Sequence, residues 1–158
     1  MLELLADPRV QRYLPSNPPT DLESLRARYG RLESRCSPDG QDLWLNWTVF
    51  ADSQAVGTVQ ATVRVIEGVA DVAYVFGPVF WRQGFANEAL YALLCFLPNL
   101  DVGRARANLD TRNRSSARLV ERLGFVRVSE LRGADKFKGE ASNEYVYERR
   151  LSATPPPT

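Results

Sequence analysis

The chain has 158 residues, 44% of them hydrophobic and 25% charged, with a net charge of +1. That is enough for one globular domain with a sizeable core, and it gives no general field for nucleic acid or an acidic membrane. There is no histidine, which excludes Ser-His-Asp and Cys-His nucleophilic sites and histidine-based zinc centres; the two cysteines, Cys36 and Cys95, stand in no metal-ligand spacing.

The first segment, "MLELLADPRVQRYL", reads as a short helix cut at Asp7-Pro8, then another turn, and "PSNPPT" as a loop. "TDLE" reads as a capping box in which Thr20 caps and Glu23 answers. Leu22, Leu25, Tyr29 and Leu32 follow at helical spacing and predict a helix over about residues 21–34. "CSPDGQD" is a turn. "LWLNWTVF", "AVGTVQATVRVI" and "VADVAYVF" read as three strands, the last two joined by a hairpin at Glu67-Gly68. "ANEALYALLCFL" is helical by period, and "RARANLD" is a strand candidate. "NRSSARLVERLGF" is an amphipathic helix ended by Gly124 as a left-handed cap. "FVRVSEL" and "NEYVYERRL" predict two last strands around a loop, "RGADKFKGEAS". Residues 1–151 form one expected domain, and the Pro-rich tail 152–158 is expected to be disordered. This order predicts an α+β fold with a mixed sheet. No apolar run is long enough for a membrane span and no signal pattern opens the chain; the two distant cysteines suit a cytoplasmic, reduced protein, with a single disulfide as the alternative.

The stretch "FGPVFWRQGFANEAL" carries the first functional signal. It passes from a strand through two glycines into a helix. Backbone N–H groups at a helix start, with the helix dipole, can hold a phosphate without any charged side chain. Arg82, Gln83, Gly84, Phe85, Ala86 and Asn87 stand at that place. Neither G-x-G-x-x-G nor a Walker A loop is present, so by itself the stretch fits an anion seat and a plain strand-to-helix turn equally.

"FWRQGFANEA" followed about thirty residues later by "NRSSARLVERLGF" resembles the GNAT superfamily of acyl-CoA-dependent N-acyltransferases, and in particular its RimJ/RimL-like branch. Trp81 to Ala86 match the acetyl-CoA loop of that superfamily, and Asn113, Ser116, Gly124 and Phe125 match the branch's later segment. The resemblance implies a three-layer α/β/α arrangement. Its sheet is mixed and mostly antiparallel, and it splays between the strand before the glycine loop and the next strand. It implies acetyl-CoA as co-substrate, no metal, and transfer to a primary amine of a small molecule or a protein N-terminus. Phe76 would offer backbone to the cofactor, and Gly77-Pro78 would mark the point where strand pairing stops. Asn113 would hydrogen-bond the pantetheine arm, although Asn113 or Thr111 equally suits a helix cap. Arg82, Arg114 and Arg118 could meet phosphates or lie on a solvated face.

The chemistry has few candidates. Many relatives place a tyrosine on the later helix as the acid for the leaving thiolate, but Val120 stands there in this chain. Ser116 is then the candidate acid or hydrogen-bond donor. Asp71, on the strand before the loop, is the candidate carboxylate, with a solvent-facing position near the hairpin as the alternative; Glu88 suits the start of its helix. Tyr13, Trp44 and Trp47 could line the acceptor cleft or belong to the core. A catalytically weak or inactive acyl-CoA-binding module is the competing reading. Relatives begin with a further strand, whereas this chain starts within what resembles the first helix. The expectation is a sheet without that edge strand, or a start assigned too late, with "LWLNWTVF" covered by a dimer partner or swapped segment.

Overall fold

The computed structural model describes residues 1–137 and 140–152. Three short helices open the chain: α1 (Leu2–Ala6), α2 (Pro8–Gln11) and α3 (Leu22–Leu32). Pro8 sits at the first position of α2, where its missing N–H is no loss, and the Asp7 side chain caps the helix by accepting from the Arg9 amide at 2.8 Å. The cap of α3 lies one residue later than the sequence pattern indicates. Asp21, not Thr20, accepts from Ser24 N–H at 2.7 Å, and the Ser24 hydroxyl answers the Asp21 amide. A carboxylate serves a helix start better than a hydroxyl because it also meets the dipole.

Then come β1 (Asp42–Ala51), β2 (Gln54–Arg64) and β3 (Val69–Phe76), an antiparallel meander. Helix α4 (Phe85–Phe96), strand β4 (Arg104–Asp110), helix α5 (Arg114–Arg122) and the hairpin β5 (Val126–Phe137) and β6 (Glu140–Arg150) complete the chain. The sheet order is β1-β2-β3-β4-β6-β5, and only β3 and β4 run parallel. The last hairpin corrects the predicted loop. Bulges between Arg127 and Ser129 and between Leu131 and Asp135 absorb the extra residues, Gly133 takes a positive φ of 61°, and pairing continues to Phe137 and Glu140. The tail beyond Ser152 lies outside the described residues.

One face of the sheet carries the core. Val59, Ala61, Val63, Ala70, Val72, Ala105 and Ala107 pack there against Leu90, Leu93, Leu94 and Leu97 of α4 and Leu119 and Val120 of α5. Burying each large aliphatic side chain contributes roughly 1.5–3 kcal/mol, which fixes the two helices on the same face. The opposite face is polar. Asp71 there pairs with Arg64 at 2.9 Å and lies 3.9 Å from Arg106, which in turn meets Glu148 at 3.2 Å. Helix α3 adjoins β1 on this side, above a groove that holds Arg28, Arg31, Trp44, Asn46, Gln60 and Thr62.

The sheet is forked. β3 pairs with β4 only at Val69–Arg104, Ala70–Ala105 and Asp71–Arg106, while β3 stays paired with β2 as far as Phe76. The fork therefore opens after Asp71, five residues before the position expected from Gly77-Pro78. Proline does not open it. The Gly77 amide still donates to Val56 O at 3.0 Å, so the ladder on that side runs up to the proline. β4 leaves β3 because its later residues, Ala107 to Asp110, follow β6.

Candidate functional site

The fork opens into a cleft of about 650 Å³. Its walls are α2, the free edge of β3, the turn that begins α4, and one face of α5. Because the Gly77 amide points to β2, alternation along the strand turns the backbone groups of Tyr74 and Phe76 toward the opening. The Phe76 carbonyl is already in use: the Trp81 indole donates to it at 2.8 Å. Gln83 braces the same loop by donating from Nε2 to Val79 O at 2.7 Å.

The turn is shaped by two left-handed residues, Arg82 at φ 61° and Gly84 at φ 90°. A β-carbon built on Gly84 would meet nothing within 4 Å, so the space above the turn is open. Gly84 is the N-cap of α4 and has no side chain to cap with. The first bond of the helix runs from the Glu88 amide to Gly84 O at 3.0 Å. The amides of Phe85, Ala86 and Asn87 come before it and have no acceptor within the helix. Their residues line the cleft. These groups fit an anionic phosphate: exposed amides, the positive end of a 12-residue helix, and a concavity without a β-carbon.

Facing them is the first turn of α5. Asn113, not Thr111, caps this helix, its Oδ1 accepting from the Ser116 amide at 3.2 Å. Ser116 lines the cleft, and its carbonyl accepts from the Tyr74 hydroxyl at 3.3 Å. Burial pushes the Tyr74 phenol up to about 12, so it stays protonated and acts as a donor through the neutral range. Tyr74 is not among the residues the sequence pattern marks for the site. A signal was available: alternation in "AYVF" places Tyr74 on the same face as Phe76.

Of the residues expected at the site, Phe76, Arg82, Gly84, Phe85, Ala86, Asn87, Asn113 and Ser116 all line the one cleft, while Gln83 braces its loop from outside the lining. Asp71 is not with them. It stands three residues before Tyr74 on the strand, so its side chain leaves the opposite face and joins Arg64 and Arg106. Tyr13 lines the cleft; Trp44 lies in the groove under α3; Trp47 packs edge-to-face on Phe96, ring centres 5.7 Å apart. Arg114 and Arg118 are absent from the lining among the described residues, and Arg9, Arg12 and Arg122 join Arg82 in it. Val120 is fully buried in the core, so its position offers no acid. Among the described residues, no group of three or more His, Cys, Asp or Glu could hold a metal. No helix among them is long and apolar enough to cross a membrane.

A family model described as an acetyltransferase (GNAT) domain matches residues 1–126. The chain belongs to the GNAT acetyltransferase family. The chain is also 28% identical over 144 residues to the uncharacterized N-acetyltransferase p20 of Bacillus licheniformis, covering 90% of this chain and 80% of that protein. Among solved structures, the fold matches an acetyltransferase from Salmonella typhimurium that modifies the N-terminal serine of the 50S ribosomal subunit protein L7/L12. The TM-score is 0.83 at 19% identity, with 96% of this chain and 86% of that one covered. It also matches the spermidine N-acetyltransferase of Vibrio cholerae, solved with CoA and spermine, at TM-score 0.80 and 16% identity over 95% of this GNAT chain and 87% of that one. At these identities the two structures speak for the fold. The forked sheet, the uncapped helix start and the cleft between them are thus features of a GNAT acetyltransferase.

Proposed function

We propose that the protein transfers the acetyl group of acetyl-CoA directly to a primary amine, with both substrates held in the forked cleft. The observation that carries this reading is the meeting, in one cavity, of the free edge of β3, the three unbonded amides at the start of α4, and the first turn of α5. The amides of Phe85, Ala86 and Asn87, with Arg82 beside them, would hold the pyrophosphate. The outward backbone of Tyr74 and Phe76 and the Asn113 amide would hold the pantetheine arm. The bound thioester would supply an activated acyl group.

The residues of the chain then have two tasks. One is to align the amine with the thioester, which can contribute several kcal/mol by itself. The other is to offer a proton donor to the departing sulfur. Ser116, which lines the cleft, would offer its hydroxyl for this, and the protonated Tyr74 phenol, bonded to the Ser116 carbonyl, braces that turn of α5. An α-amine with a pKa near 8 is about one-tenth neutral at pH 7, whereas a lysine amine near 10.4 costs roughly 4–5 kcal/mol to deprotonate. Hydroxyls and amides suit the first acceptor better than the second. The reading favours a protein or peptide N-terminus or a small α-amine.

The test is CoA thiol release with a panel of amines, together with acetyl-CoA binding by calorimetry. Ser116→Ala is expected to lower kcat by about 10–150-fold, the equivalent of one charge-assisted hydrogen bond of about 1.5–3 kcal/mol, with acetyl-CoA affinity unchanged. Binding without thiol release from any amine would reject the transferase in favour of an inactive binding module.

A further inference from the structure

The wall built by α2 differs in chemistry from the phosphate end. Val10, Arg12, Tyr13 and Leu14 line the cleft there opposite the free edge of β3. The helix is held firmly. Gln11 is buried and donates from Nε2 to Leu5 O at 2.6 Å, Leu5 and Val10 are buried, and Asp7 caps the first turn. Two arginines line the cleft here, Arg9 on α2 and Arg12 just after it, and they are not equivalent. Arg9 has its guanidinium on Asp7, with Nε 3.1 Å from Oδ1 and Nη2 2.8 Å from Oδ2. Arg12 instead lies over the Tyr13 ring, Cζ 5.3 Å from its centre. A guanidinium resting on an aromatic face keeps its donor fork in plane and unobstructed, and that fork matches a carboxylate in two-point contact. Arg82 and Arg122 add positive charge to the same cleft. Among the described residues, no carboxylate lines it.

We infer that the acceptor carries an anionic group, a carboxylate, near its amine, and that Arg12 reads that group. This rests on the acetyltransferase reading and narrows it. A polycationic amine meets repulsion at Arg12, whereas an anionic amine is drawn in and oriented there. The carboxylate has two sources: the α-carboxylate of a free amino acid, or acidic side chains that follow a peptide N-terminus. The chemistry at Arg12 is the same.

The experiment measures thiol release at saturating acetyl-CoA for two sets of acceptors. The peptide set is Ala-Glu-Glu-Ala, Ala-Gln-Gln-Ala and Ala-Lys-Lys-Ala, each amidated at its C-terminus. The small set is alanine, alaninamide and spermidine, each rate corrected for its fraction of neutral amine. The expected result is kcat/KM about tenfold higher for the acidic member of at least one set than for its neutral partner, the ratio a single charge-assisted contact supplies. Spermidine and the lysine peptide should be slowest. Arg12→Glu should reverse the order, Arg12→Lys should keep it in weakened form, and acetyl-CoA affinity should stay within about twofold in both variants, as it should for a residue outside the phosphate seat. A preference confined to alanine over alaninamide assigns the free amino acid; one confined to the peptides assigns the acidic N-terminus. Equal rates, a preference for the cationic members, or a preference that survives Arg12→Glu overturns the inference and leaves the acetyltransferase standing. Loss of acetyl-CoA binding in Arg12→Glu also overturns it. No thiol release from any acceptor overturns the transferase reading as well.

Discussion

Replacing Gly84 separates the conformational demand of the turn from its ligand. The residue sits at φ 90°, ψ −13°, and a β-carbon there would touch nothing within 4 Å. Gly84→Ala therefore meets no clash, only the backbone strain of an L residue in the left-handed region, about 1–2 kcal/mol. For a chain of this size, each 1 kcal/mol lowers Tm by about 2–4 °C. Gly84→Glu suffers the same strain and also brings a carboxylate over the amides of Phe85, Ala86 and Asn87. If those amides hold a phosphate, the loss is at least one charge-assisted hydrogen bond of about 1.5–3 kcal/mol, or about 10–150-fold in affinity. The assay is thermal unfolding of both variants with and without millimolar acetyl-CoA, backed by calorimetric titration. The ligand-free proteins should melt alike and below the wild type. Acetyl-CoA should still raise the Tm of the alanine variant and should raise that of the glutamate variant by clearly less. A glutamate variant that keeps the wild-type shift would refute the phosphate seat, because the strain common to both variants cannot account for binding.

Two predictions concern the frame that holds the cleft. A β-carbon at Gly57 would lie 2.5 Å from Val75 O and 2.7 Å from Phe76 Cγ, so Gly57→Ala must displace β3 and the Phe76 ring. Overpacking of this kind costs about 1–3 kcal/mol, and the variant should lose Tm and raise KM for acetyl-CoA together; an unchanged Tm would show that the contact relaxes freely. Asp110 is buried and is held down to about 2, first by the Arg112 side chain at 2.7 Å and 2.9 Å and then by the Arg112 amide and the Ser142 hydroxyl. Its folded pKa lies below its unfolded one, so it stabilises the fold above about pH 4, and this is lost as pH falls toward 2. Asp110→Asn should lower stability by about 2 kcal/mol at pH 7, and the gap from wild type should close between about pH 4.5 and 2 in chemical unfolding. A gap independent of pH would show that the ionised carboxylate is not its source.

Local rules reach far in this chain. Alternation and turn residues place β1 to β4, Asp7-Pro8 cuts the first helix, and Gly124, at φ 83°, ends α5 as read. The glycine turn was legible because a strand-to-helix turn is built from consecutive residues. Arg82 to Asn87 need no distant partner to take their places. The errors made at this level were small ones. Asp21 displaces Thr20 as a cap because its carboxylate takes the Ser24 amide and adds charge, while the Thr20 hydroxyl donates to that carboxylate. The last hairpin outruns its predicted loop because bulges accommodate residues that break the alternation.

What only the tertiary structure decides depends on partners far apart along the chain. The fork opens after Asp71 because β4 is drawn away by β6, a strand some forty residues further on, and no residue of β3 announces it. Asp71 looked like a chemical group near the loop, but two arginines from neighbouring strands claim it on the opposite face. Tyr74 reaches the cleft only because α5 lies over β3, which brings its hydroxyl to a carbonyl 42 residues later. Arg12 lines the cleft because packing of the first helices sets α2 and the turn after it against the open strand edge. A turn or cap is determined by neighbours within a few residues and can be read from their order. A cleft is the space between elements, and its lining depends on which side chains the core leaves facing it.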